Sequence, residues 1–161
     1  MSQAPPSTCA REGLTLDAAI LDGSVSVVTP AGAAEDSGRV VLNDVDATSN
    51  LSGISISTGG GAAAIDVVAN IAAATDLDIT AAGSSFAAVD QFVVPEGSTL
   101  TLTAAQADGL DITGAGTVSI TEIEDALGAD LSGVTATATV AVESETDLSA
   151  NTLLGGVGFA V

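Results

Sequence analysis

The chain has 161 residues and a formal net charge of −19, from 21 acidic and two basic residues, Arg11 and Arg39. With almost nothing to neutralise phosphate, nucleic acid and anionic membrane surfaces are excluded as partners, and cations are the natural counter-charge. Apolar residues reach 47% against 14% charged, which is not the composition of a disordered acidic tail, so a folded chain is expected.

Residues 1–12 read as an extended leader, because Pro5-Pro6 and the Ser and Thr around them oppose regular structure. This leader lacks the basic and apolar regions of an ordinary secretory signal. Cys9 is the chain's one cysteine and has no internal disulfide partner.

From Gly13 onward short alternating runs follow one another: Leu14–Leu16, Ser24–Val28, Arg39–Leu42, Ile54–Ser57, Leu77–Thr80, Thr99–Thr103, Leu110–Thr113, Thr117–Thr121 and Val134–Val142. Their period of two and β-branched content predict strands, separated by Gly, Asp, Asn, Ser and Pro turn clusters. Ala62–Ala74, with Ile65, Val68 and Ile71 three apart, has one apolar helical face, although its β-branched residues oppose a long helix. Glu122–Leu127 is a second short-helix candidate, and Ala104–Asp108 reads as one helical turn stopped by Gly109.

Two segments repeat in order. Leu14–Gly23 returns as Leu100–Gly109 with seven of ten positions identical, and Asn50–Ser55 is echoed by Asp130–Thr135. Duplication predicts two related modules, 13–97 and 98–161. Only three aromatic residues, all Phe, and 18 glycines predict a thin interior. Together these features predict an all-β fold, a parallel β-solenoid (β-helix) whose units bury their apolar faces against one another. Paired β-sandwich modules are the alternative, with Asp22-Gly23 and Asp108-Gly109 as hairpin signals. No apolar run is long enough for a membrane-spanning helix.

Asp44 and Asp46 alternate around Val45, and Asp76 and Asp78 around Leu77, so each pair would project from one side of a strand and offer oxygens to Ca²⁺. Neither an EF-hand loop nor a calcium β-roll nonapeptide is present. Asp76, Asp78, Asp111 and Glu122 form the acid set that a carbohydrate-active β-helix would use. Against an enzyme stands the lack of His, Lys, Trp and Tyr, which removes the usual bases, zinc ligands and sugar platforms. Gly59-Gly60-Gly61 lacks the Lys of a phosphate loop and reads as a turn. Threonines stand in rows at 99, 101, 103 and at 135, 137, 139. Ice-binding solenoids use such ladders, and Thr also simply suits an exposed strand face.

Gly158–Val161 is similar to Gln91–Val94, which leads through Pro95-Glu96-Gly97 into the Leu100 motif; Arg11-Glu12-Gly13 leads likewise into the Leu14 motif. One copy's tail is therefore expected to stack on another's head, with Glu12, Gly13, Leu14, Leu16, Phe159 and Val161 at the joint.

Residues 100–121 (LTLTAAQADGLDITGAGTVSIT) and 130–142 (DLSGVTATATVAV) resemble repeats of large, acidic, secreted bacterial surface proteins of adhesin, surface-layer or matrix type. The resemblance implies type I export, a structural role at the cell surface or outside the cell, an association with calcium or other divalent cations, and contact with cell-surface glycans. It transfers no site residues. The expected function is a self-assembling filament, sheath or surface-layer subunit, with a ligand-binding adhesin module as alternative.

Overall fold

The computed structural model describes residues 14–17, 25–29, 39–49, 54–58, 66–81, 86–126, 128–142, 149, 151–152 and 158–160. Most of them are strands. The first five are β1 (Leu14–Asp17), β2 (Val25–Thr29), β3 (Arg39–Val45), β4 (Ile54–Thr58) and β5 (Asp66–Ile71). Then come β6 (Asp76–Asp78), β7 (Gln91–Val93), β8 (Thr99–Thr103), a helical turn α1 (Ala104–Ala107), β9 (Asp111–Thr113) and β10 (Thr117–Thr121). A 3₁₀ turn (Ile123–Asp125), β11 (Thr137–Ala141) and β12 (Gly158–Ala160) complete the series.

Strands distribute between sheets by alternation. One five-stranded sheet runs β1-β3-β5-β7-β9, a second runs β12-β11-β10-β8-β6, and β2 pairs with β4. Every pairing among these strands is parallel. Among the described residues no strand pair is antiparallel, as the hairpins of the sandwich alternative would be. Gly109 stops α1 as expected, at φ +71° with its N–H on the Asp130 carbonyl, so Asp108-Gly109 is not the hairpin that the sandwich alternative would place there. Asp22-Gly23 lies outside the described residues.

Register explains the core. In the first sheet Leu42, Ala69, Phe92, Ile112 and Val134 follow one another as partners, all buried. The second sheet contributes Leu77, Leu100, Val118 and Ala138, and beside them Leu102, Ile120 and Val140. These columns belong to one buried cluster. They are aliphatic except for Phe92, which stands beside the small Ala69, so small and branched side chains fill most of the interior without aromatic layers.

The ladders cross the expected module boundary between 97 and 98: β6 pairs with β8, and β7 with β9. Repeated sequence is not repeated position. Leu14–Asp17 is a strand of the first sheet, whereas its echo Leu100–Thr103 lies in the second.

Residues 66–71, expected within a helix, are strand β5. Spacing of three gave Val68 and Ile71 one helical face, but Val67, Val68 and Ile71 are all buried between β3 and β7, where branched side chains suit a sheet enclosed on both sides. The described part of the second helix candidate, 122–126, holds the 3₁₀ turn Ile123–Asp125. The expected turn at Ala104 is present, fixed by a capping box in which Thr103 Oγ1 accepts from Gln106 N–H and Gln106 Oε1 accepts from Thr103 N–H. The same Gln106 donates from Nε2 to the Ile79 carbonyl, tying α1 to the segment that follows β6.

Polar side chains also bond across the connections between strands. Ser98, 2% exposed, donates to the Ala72 carbonyl and accepts from Thr75 N–H. Asp90 accepts from Val67 N–H through its carboxylate and donates its own N–H to the Val67 carbonyl. These bonds give the backbone groups of Val67, Ala72 and Thr75 partners more than 20 residues away in sequence.

Candidate functional site

The first and last described strands are end members of their sheets: β1 in one, β12 in the other. Leu14 and Leu16 are in β1, partnered with Val40 and Leu42; Phe159 is in β12, partnered with Val140. Glu12, Gly13 and Val161 lie outside the described residues. The expected joint residues therefore belong to strands on two different sheets. Phe159 and Phe92, aligned by sequence, occupy different sheets as well.

The acid pairs do not converge. Asp44 and Asp46 end β3 in the first sheet, whereas Asp76 and Asp78 flank Leu77 in the second. Asp76 and Asp78 are both exposed, as strand alternation requires. Asp44 departs from that alternation: it sits in the left-handed region at φ +55°, where the β3–β5 register shifts between Leu42 and Val45. No group of three or more acidic, His or Cys side chains gathers among the described residues. Asp111 is on β9 of the first sheet and Glu122 follows β10 at φ +56°, so the expected glycosidase set is divided between sheets too.

Three carboxylates are occupied locally. Asp46 Oδ1 accepts from the Thr48 hydroxyl and N–H, Asp78 Oδ1 from the Thr80 hydroxyl and N–H, and Asp130 Oδ1 from Ser132 N–H. All three share the pattern Asp-x-Thr/Ser, an Asx turn that was visible in the sequence as a spacing of two. Hydrogen bonds from the Thr48, Thr80 and Ser132 side chains, then from their backbones, hold these carboxyls below the ordinary value of 3.8. Elsewhere Glu124 Oε2 and Asn151 Oδ1 are buried acceptors without a donor among the described residues.

A depressed native pKa contributes stability above the unfolded value, and the contribution disappears as pH falls through the native one. Asp78→Asn keeps the turn's acceptor and removes its charge. The urea midpoint of wild type should exceed that of Asp78→Asn at pH 7, and the gap should close below pH 3.8. A gap that widens on acidification would contradict this assignment.

An apolar cleft of about 240 Å³ lies beside α1, lined by Ile79, Phe86, Val89, Phe92, Gln106 and Leu110. Phe86 and Phe92 face each other there with ring centroids 6.2 Å apart, tilted by 46°. No helix among the described residues is long and apolar enough to cross a membrane. No protein-family model, curated protein or solved structure matches the chain.

Proposed function

We propose that this chain is a structural subunit: a parallel β-solenoid that assembles head to tail into an extracellular filament, sheath or surface layer. The observation that carries this reading is the placement of β1 and β12 as end members of parallel sheets whose interior columns run on between them. An end strand offers backbone donors and acceptors to a further strand, and a joint between unlike ends that does not close yields an open polymer. The charge of −19 keeps such polymers dispersed and attracts divalent cations, Ca²⁺ among them, to exposed acids such as Asp44, Asp76 and Asp78.

The test is electron microscopy and light scattering of the full chain across a concentration series, with and without Ca²⁺. Rods that lengthen with concentration are expected, at a lower threshold when Ca²⁺ screens the acids. Monomers at every concentration and Ca²⁺ level would refute the assembly.

A further inference from the structure

From the register of the second sheet we infer that its outer face binds the surface of ice. Three neighbouring strands carry the same outward pattern: Thr99 and Thr101 on β8, Thr117 and Ser119 on β10, Thr137 and Thr139 on β11. Pairing sets Thr99, Thr117 and Thr137 side by side as one column, and Thr101, Ser119 and Thr139 as a second. Between the columns Leu100, Val118 and Ala138 point inward and are buried, so the six hydroxyls share the opposite face, where each is exposed or half-buried. None of the six hydrogen-bonds another described residue.

The expected rows at 99–103 and 135–139 contain only part of this grid. Thr103 is buried as the cap of α1, and Thr135 precedes the ladder and approaches the Ile112 carbonyl. The row at 117–119, which sequence rows of three threonines do not reveal, is the middle one.

Spacing decides the ligand. Paired strands lie about 4.8 Å apart and alternate residues along a strand about 6.6 Å apart, so the backbone fixes hydroxyls on a regular grid. In a tetrahedral oxygen network with O···O contacts of about 2.75 Å, next-nearest oxygens are about 4.5 Å apart. The columns therefore run nearly in step with oxygen rows of solid water. Liquid water offers no fixed rows to match. Thr is suited to this because branching at Cβ stiffens χ1, so the grid is set before contact, and each hydroxyl is accompanied by a methyl that orders nearby water. No basic or aromatic side chain interrupts the six positions. Asp76 and Asp78, in register with Thr99 and Thr101, bound the face on one side, and Asp78 is already engaged by Thr80. This inference rests on strand register and not on head-to-tail assembly.

The test is partition of the full chain into a slowly growing ice hemisphere, with circular dichroism as the check on folding. Wild type should enter the ice, Thr117→Lys should be excluded, and Asp125→Lys, exposed on the 3₁₀ turn away from the grid, should enter as wild type does. Ser119→Thr completes the grid with one methyl and should increase uptake, which keeps the proposal testable if Thr117→Lys fails to fold. Exclusion of wild type, equal uptake of folded Thr117→Lys, or no gain from Ser119→Thr would overturn it. So would a dimer that Thr117→Lys dissociates without any ice uptake, which would give this face to a second copy.

Discussion

Gly114→Ala should destabilise the chain by about 3 kcal/mol or more, from overpacking plus a left-handed backbone penalty. Gly114 lies in the bend between β9 and β10 at φ +116°, and a Cβ there would run into the backbone carbonyl of Val94, just after β7. Nothing flexible stands in the way; the obstacle is main chain. That main chain is itself held, since Val94 donates its N–H to the Thr113 carbonyl and accepts from Gly116 N–H. Moving Val94 to admit a methyl would break bonds on both sides of the bend. Gly97 provides the control. It has φ +79° and open space around the Cβ position, so Gly97→Ala should cost only the conformational term, about 1–2 kcal/mol. Urea unfolding of the two variants measures the difference directly. Equal losses would mean that the bends are not stacked as closely as described.

Phe92→Ala should cost about 3–5 kcal/mol, a large share of the 5–15 kcal/mol typical of a folded domain. Among the described residues Phe92 is the largest fully buried side chain, 1% exposed, in the column between Ala69 and Ile112. Its size answers Ala69 beside it, so truncation would set two alanines together and open a void that the paired backbones cannot close by collapsing. Phe86, half-buried and touching the same ring, should cost less on replacement by Ala, because solvent already reaches it. Thermal unfolding followed by circular dichroism ranks the pair. A Phe86→Ala loss exceeding that of Phe92→Ala would place the weight of packing in the cleft and not in the column.

Strand positions were legible where branched residues alternate with polar ones. Thr99–Thr103 and Thr117–Thr121 match β8 and β10 end to end, because one side of each strand faces the core and the other faces out. β5 was not legible: Val67, Val68 and Ala69 are all buried, so alternation is lost and a spacing of three in its place imitates a helix. Sheet membership was not legible either. The echo of Leu14–Gly23 in Leu100–Gly109 preserves local preference for a strand, but partners 26 or 27 residues away, such as Leu14 with Val40 and Val40 with Val67, decide which ladder it joins.

Of the candidate site residues, the sequence placed the acids on strands but did not reveal their partners. The alternation of Asp44 with Asp46 assumed extended backbone, and the register shift at Asp44 removes it. The Asp-x-Thr/Ser spacing is shared by the three carboxylates with local donors, but Asp111-Ile112-Thr113 has it too and is extended in β9, so the spacing alone does not single them out. For the threonine grid, the residues were plain in the sequence, whereas their alignment required the offsets between β8, β10 and β11.

Uniformly parallel pairing gives these sheets a bearing, like arrows laid nose-up in a rack. Two copies related by a two-fold axis would bring their ladders together running in opposite senses, and the shared edge would have to switch to antiparallel bonding. Any lattice that merely extends the existing pattern is therefore vectorial: a gold label on the amino terminus would mark the same pole of every rod.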